Sequence, residues 1–200
     1  MLRIPTIRKQ GGCSIMLFLG ALLHYSADLQ QGAPLAAPNN CWRQDGMAES
    51  IKILVGTMTG TAELVADEIS EVLVDKGVEA EIELMDDLDA SVFADGGAFL
   101  ICTSTYGQGD VPDNAHKFLE SLQQQKPDLS AVRYGVFALG DMTYSQTFCF
   151  GGKQFDEALQ SLGANRVGEV MRHNASAGSL PEDDAAEWAA GWFDMLSEAA

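Results

Sequence analysis

Residues 51–63 read IKILVGTMTGTAE, and this stretch decides the fold. Its first five residues form a short apolar run rich in strand-forming side chains, which Gly56 ends. The loop that follows leads into residues 61–76, where apolar residues recur at helical spacing and Gly77 stands directly after them. The stretch therefore predicts a strand, a loop rich in glycine and threonine, and a helix.

The same alternation continues to the C-terminus. Further strands are predicted at 78–84, 98–102, 134–139 and 166–171, and further helices at 114–123, 155–162 and 183–198. Five strands alternating with helices indicate an α/β protein with a parallel sheet covered on both faces. Right-handed crossovers leave only a few topologies for such a sheet.

Residues 1–46 differ from the rest of the chain. Arg3, Arg8 and Lys9 precede a short apolar stretch at 15–23, as in the outline of a leader peptide, and a stretch without periodicity follows. Met47 then stands a few residues before the first strand. We expect 1–46 to be a disordered extension, either an artefact of an upstream start or a leader, and 47–200 to be one domain.

The composition excludes several classes of protein. No apolar run approaches the roughly 18 residues of a membrane-spanning helix. The net charge of -17 and pI of about 4.3 argue against nucleic acid and anionic membranes as partners. Such acidity favours docking on a basic protein surface, or it serves only solubility.

The cysteines and histidines predict no metal site. Cys13, Cys41, Cys102 and Cys149 form no C-x-x-C pair, and their usage suits a reducing compartment. Cys149 has no basic neighbour, so we do not expect a nucleophile there. His116 and His173 are expected to be surface or capping residues.

The loop at 56–63 is typical of a phosphate site. It opens a helix, where free backbone N–H groups and the helix dipole favour an anion, and its threonines add neutral donors. It is not G-x-G-x-x-G and lacks the lysine of an ATP-binding loop. An ordinary threonine-rich helix start would look similar.

Two more loops leave predicted strand ends. Residues 104–114 read STYGQGDVPDN, and residues 139–149 read LGDMTYSQTFC. Ligands of open α/β sheets bind at this edge, and Tyr106 and Tyr144 can lie against an aromatic ring. Asp113 or Asn114 is also expected to cap the next helix, and Phe148 to anchor its loop.

The motifs T-x-T-G-T, S-T-Y-G-x-G-D-x-P-D-N and L-G-D-x-x-Y, in this order, resemble the three FMN-binding loops of the flavodoxin family. The FMN domains of cytochrome P450 and sulfite reductases are similar. The stretches 125–133 and 181–188 look nearest to short flavodoxin-like proteins of bacteria. The resemblance covers 47–200 and implies a three-layer sandwich with a five-stranded parallel sheet in the order 2-1-3-4-5.

The resemblance also implies the cofactor and its contacts. The first loop is expected to surround the FMN phosphate with Thr57, Met58, Thr59, Gly60, Thr61 and Ala62. The other two loops are expected to hold the isoalloxazine between Tyr106 and Tyr144. The remaining expected contacts are Ser104, Thr105, Gly107, Leu139, Gly140, Asp141 and Phe148. Between His173 and Leu180 this chain lacks the acidic residue that relatives often have there.

The function implied is electron transfer rather than independent catalysis. We expect a cytoplasmic monomer that carries electrons from an NADP-dependent flavodoxin reductase to a redox enzyme such as biotin synthase. Because a reduced, anionic flavin is disfavoured in an acidic protein, we expect a low potential for its second electron. The alternatives are an FMN-dependent quinone or nitro-reductase, and a phosphate-binding interaction module without flavin.

Overall fold

The computed structural model describes residues 50–199. Its six strands are β1 Ser50–Gly56, β2 Glu79–Leu84, β3 Gly97–Ser104, β4 Val132–Gly140, β5 Asn165–Arg166 and β6 Met171–Asn174. Its four α-helices are α1 Thr61–Asp75, α2 Asp113–Gln125, α3 Phe150–Ser161 and α4 Pro181–Glu198. Short 3-10 helices lie at Met85–Asp87, Ala90–Phe93, Met142–Tyr144 and Ala175–Ala177.

The strands form one sheet in the order β2-β1-β3-β4-β5, with β6 also paired to β4. Every strand pairing in the described part of the chain is parallel. This confirms the predicted α/β class and the strand order 2-1-3-4-5. Parallel strands place all their carboxyl ends at one edge of the sheet, and that edge carries the three loops.

The last strand is the part of the topology that the sequence predicts wrongly. Instead of one strand over 166–171, β5 pairs with the start of β4 and β6 pairs with its end. A turn separates the two, in which Gly168 has a φ of +69° and its carbonyl accepts a hydrogen bond from Arg166 Nε at 3.1 Å. Because of this turn, β6 runs to the same edge as β4 and brings His173 level with Leu139.

Two apolar cores lie on opposite faces of the sheet. Alternate side chains of β1 point to opposite faces, so Ile53 packs with α1 and α4 while Leu54 packs with α2 and α3. Gly135 marks the closest approach of α4 to β4, because a Cβ there would lie 2.4 Å from Trp192 Nε1. The sandwich has three layers, with helices on both faces of the sheet as predicted.

Several details of the helices differ from the predictions. The third helix, predicted over 155–162, begins at Phe150. Leu64 shares the helical spacing of the apolar residues in 61–76, but 55% of its surface is exposed. Helix α4 begins at Pro181 rather than at Asp183. None of the helices within 50–199 is long and apolar enough to cross a bilayer. The predictions made for 1–46, and the domain boundary at 47, lie outside the described residues.

Candidate functional site

A cavity of about 790 Å³ opens at the carboxyl edge of the sheet, where β1, β3 and β4 end. Three stretches predicted from sequence meet in its wall. The predicted residues that line it are Met58, Thr59, Thr61, Ser104, Thr105, Tyr106, Gly107, Leu139, Gly140, Asp141 and Tyr144. Four other predicted residues, Thr57, Gly60, Ala62 and Phe148, are not part of the wall.

The first loop turns tightly into α1 and leaves several donors available. The Gly60 N–H donates to Thr57 Oγ1 at 3.0 Å, and the Gly60 carbonyl accepts from the first turn of α1. Gly60 itself has a φ of +86° and no side-chain cap serves the helix. Among the described residues, the N–H groups of Met58, Thr59 and Thr61 have no hydrogen-bond acceptor. These groups can therefore bind an anion at the helix N-terminus.

Asn114 connects the second loop to the first. Its Oδ1 accepts from the Thr57 N–H at 3.0 Å, and its Nδ2 donates to the Val55 carbonyl and to Asp86 Oδ2, both at 3.3 Å. Helix α2 begins one residue earlier, at Asp113, and has no side-chain cap. The prediction that Asp113 or Asn114 caps this helix is therefore wrong. Asn114 instead holds the end of β1 and the start of the phosphate-type loop.

The second loop presents Tyr106 on a tight turn. The backbones of Tyr106 and Asp110 exchange hydrogen bonds of 2.9 Å in both directions, which closes a short antiparallel bridge. Gly107 and Gly109 have positive φ values of +54° and +103°, which a chain reversal of this length requires. The Tyr106 side chain remains 53% exposed at the rim of the cavity.

The third loop is held by the segment between β6 and α4. The Met142 N–H donates to Asn174 Oδ1 at 2.9 Å, and Ser176 Oγ donates to Asp141 Oδ1. Hydrogen bonds from Ser176 and Thr143 hold the pKa of Asp141 below its ordinary value. Tyr144 follows in the same short helix with its side chain 67% exposed. Both tyrosines thus stand at the rim with ring surface available to a ligand.

Sequence reasoning missed six lining residues. Gln108 and Thr147 lie inside the loops already singled out, whereas His173, Ala175, Ser179 and Pro181 come from the segment 173–181, which runs from the end of β6 to the start of α4. The expectation that His173 lies at the surface is wrong, since only 3% of it is exposed. No local motif marks this segment, and only the pairing of β6 with β4 brings it to the cavity.

The surroundings of Cys149 disfavour its reactive thiolate form because of burial, although Arg172 is a basic neighbour that the sequence analysis did not expect and lowers the thiol pKa in part. Its side chain is buried beside the Ala138 carbonyl, and burial raises the pKa of the thiol to about 12. At neutral pH almost none of it is thiolate, the form that reacts. Cys102 is fully buried in the apolar core.

The cavity suits a phosphorylated aromatic ligand. In the part of the chain that the structure describes, no lysine or arginine lines it, so the donors there that face a phosphate are backbone N–H groups and threonine hydroxyls. A Cβ built at Gly60 would meet nothing within 4 Å, so a phosphate has room against the backbone there. Two exposed tyrosines offer faces for a planar ring. The residues present therefore fit FMN.

The chain has the strand order, the loop positions and the hydrogen-bond donors of a flavodoxin-like nucleotide-binding protein. The sequence profile of the Flavodoxin family matches residues 53–188. The chain therefore belongs to the flavodoxin family, whose members bind FMN and transfer electrons.

Individual relatives support the assignment to the flavodoxin family. Protein MioC of Escherichia coli (strain K12) is 40% identical over 149 residues, 73% of this chain and 97% of MioC. Flavodoxin YqcA of the same strain is 40% identical over 151 residues, 76% of this chain and all of YqcA. Among solved structures, a cysteine variant of the flavodoxin from Pseudomonas aeruginosa matches with a TM-score of 0.64 and 35% identity. That match covers 74% of this chain and 98% of the solved one.

Proposed function

We propose that this protein is an electron carrier that holds one FMN in the cavity at the carboxyl edge of its sheet. The observation that carries the proposal is the convergence of three loops, with unpaired N–H groups on the first and an exposed tyrosine on each of the other two. The bound FMN supplies the redox chemistry, and the protein positions it and sets its surroundings.

The first loop is assigned to the phosphate. The N–H groups of Met58, Thr59 and Thr61 and the hydroxyls of the threonines act as donors, while Gly60 allows the backbone to approach closely. Thr57 and Ala62 take a supporting part, since neither lines the cavity. Because these donors are neutral, they do not compensate the charge of the phosphate dianion, which adds to that of an already acidic protein.

The second and third loops are assigned to the ring. Tyr106 and Tyr144 are placed to flank it, and the backbones of Thr105, Gly107, Gly140 and Asp141 to reach its edge. Ser104 and Leu139 complete the wall at the ends of β3 and β4. Phe148 is assigned an anchoring part, since its ring lies 3.1 Å from a Cβ built at Gly140.

The partners are redox proteins, and their surfaces are proposed to be basic. A net charge of -17 attracts a basic face and speeds encounter. An NADP-dependent flavodoxin reductase is proposed as donor, and biotin synthase or a similar radical enzyme as acceptor. The protein is further proposed to work as a cytoplasmic monomer. The relatives do not favour the alternative of a quinone or nitro-reductase.

The first experiment is the visible absorbance of the purified protein, with the released cofactor identified and counted. A yellow protein with about one FMN per chain supports the proposal. A colourless protein that also fails to bind added FMN contradicts it.

A charge-insertion pair tests the phosphate assignment. Thr59→Glu places a carboxylate in the wall of the proposed phosphate site, and we expect FMN affinity to fall at least about tenfold, or about 1.4 kcal/mol. Riboflavin, which lacks the phosphate, should lose much less. Ser145→Glu is the matched control, because Ser145 is exposed on the third loop and outside the wall. Equal losses for FMN and riboflavin would place the phosphate elsewhere.

A further inference from the structure

His173 is a buried titratable residue in the wall of the cavity that the FMN assignment does not use. It lies at the end of β6, opposite Leu139 of β4, with only 3% of its surface exposed. Its Nδ1 lies 2.7 Å from Asp184 Oδ2, and that oxygen also accepts from Ser179 Oγ at 3.0 Å. The ring is thereby fixed from below by the first turn of α4.

The other ring nitrogen, Nε2, has no hydrogen-bond partner among the described residues. Nε2 is not among the fully buried side-chain polar atoms that lack a hydrogen-bond partner, so part of its surface remains accessible. The residue itself lines the cavity. It is therefore free to contact a ligand.

The charge of the lining makes this histidine distinctive. The described residues that line the cavity include no lysine or arginine, so among them His173 is the side chain that can become cationic. The cavity lies in a chain with a net charge of -17 and is assigned to a ligand with a phosphate dianion. A single positive charge on His173 would therefore change the electrostatic potential at the ligand substantially.

We propose that His173, held by Asp184 and Ser179, is a pH-dependent positioning residue of the FMN site, which strengthens FMN binding when its ring is protonated. The proposal rests on the FMN assignment made above. It adds a fourth segment, from the end of β6 to the first turn of α4, to the three loops that the sequence motifs mark.

The two ionisation states present different groups to the cavity. An ionised Asp184 can only accept, so Nδ1 must carry a proton in both states. When the ring is neutral, Nε2 is an acceptor that disfavours an anionic ligand. When the ring is protonated, Nε2 is a charged donor that favours one.

The other charged groups around His173 are mostly acidic. Asp141 lines the same cavity from the third loop, and Glu182 and Asp183 share the first turn of α4 with Asp184. Arg172 precedes His173 on β6, so its side chain points to the opposite face of the sheet. Leu139 of β4 lies opposite His173, and the thiol of Cys149, directly before α3, lies near the His173 carbonyl; neither is charged at neutral pH.

The test compares the FMN dissociation constants of the wild type and His173→Gln from pH 5.5 to pH 8.5. Because the phosphate of FMN itself titrates near pH 6, about the same range as histidine, the two proteins are compared at each pH. We expect the wild type to bind about tenfold more tightly than the variant at pH 5.5, with the difference nearly gone at pH 8.5. His116→Gln, on the exposed surface of α2, should follow the wild type at every pH.

A second measurement needs no variant at the site. The ring protons of His173 in the wild type are followed by NMR against pH, with and without FMN. By linkage, the midpoint of their titration should move to higher pH when FMN binds. The proposal would be overturned if the ratio of the wild-type to the variant FMN dissociation constant did not change with pH. It would also be overturned if the midpoint of the His173 titration stayed the same or fell when FMN binds. Failure to bind FMN at any pH would instead contradict the proposed function.

Discussion

Gly60 and Gly163 share a backbone conformation that non-glycine residues rarely adopt, but only Gly60 belongs to the ligand loop. Their φ values are +86° and +92°, and a Cβ at either would meet nothing closer than 3.8 Å. Substitution by alanine therefore costs backbone strain without a clash, about 1–2 kcal/mol at each site. We expect both alanine variants to lose similar stability in urea unfolding of the protein without FMN.

The same pair separates folding from binding. Gly60→Ala should also lower FMN affinity, because it disturbs the turn that presents the N–H groups of Met58 and Thr59. Gly163→Ala, at the end of α3, should leave FMN affinity unchanged. Fluorescence titration with FMN measures both. If both variants lost the same affinity, Gly60 would have only a general structural part.

Individual residues also show where sequence reasoning succeeds and where it stops. The positions of Thr59 and Tyr106 in the cavity wall were predictable because each belongs to a short motif at the end of a predicted strand. His173 was not, because its place in the cavity depends on the register of β6 against β4 and on a contact with Asp184 of α4. Leu64 has helical spacing yet faces solvent, since periodicity does not define the width of the buried stripe.

At the scale of elements, Asn114 couples α2 to the end of β1. Asn114→Ala removes an acceptor for the Thr57 N–H and a donor to the Val55 carbonyl. We expect a loss of about 1 kcal/mol in unfolding free energy for each bond removed, or less. FMN affinity should fall as well, since the first loop loses its attachment.

The control for this prediction is His116→Ala, two residues further along α2 on its exposed side. It shares the helix but touches neither β1 nor the first loop in the described contacts. Calorimetric titration with FMN and urea unfolding measure the two effects. An Asn114 variant that unfolds earlier but binds FMN normally would show that this contact serves only the fold.

A second element-scale contact joins β4, α3 and β5 at the opposite end of the sheet. Tyr134 is fully buried and its hydroxyl donates to Asp156 Oδ1 at 2.7 Å, while Arg166 pairs with Asp156 Oδ2 at 2.7 Å. Burial, with the carboxylate beside it, raises the pKa of Tyr134 above its ordinary value. Above pH 10, about the ordinary pKa of tyrosine, the unfolded phenol ionises while the folded one stays protonated. Stability is therefore lost as the pH rises.

Tyr134→Phe tests this linkage. At pH 7 the variant should be less stable by about 1 kcal/mol, because Asp156 loses one donor. Between pH 9 and pH 11 the deficit should shrink, since the variant has no phenol to ionise in its unfolded state. Urea unfolding across this range measures it, with exposed Tyr106→Phe as control. A deficit that stayed constant with pH would show that Tyr134 does not contribute to alkaline unfolding.

The pairings that involve β4 mark the limit of prediction for whole elements. Strands β1, β3 and β4 are apolar runs bounded by loops, so their sequence predicts them directly. The last strand is split because β4 is long enough to pair with β5 near Arg133 and with β6 near Phe137. The two-residue strand β5 and the turn at Gly168 carry no periodicity, so only the partner strand defines them.

For the molecule as a whole, charge is the property with a direct functional consequence. The chain from Met47 onward has 8 basic and 27 acidic residues, a net charge of 8 − 27 = -19, which is more negative than the -17 of the full sequence.

If this acidity guides docking, electron transfer to a basic redox protein should slow at least about tenfold between 10 mM and 300 mM salt. Stopped-flow oxidation of the reduced protein by a basic cytochrome measures the rate. Oxidation by a small uncharged quinone is the control and should change little, because no charged surface guides that encounter. If the rates with both oxidants respond equally to salt, the acidity does not guide docking and serves solubility instead.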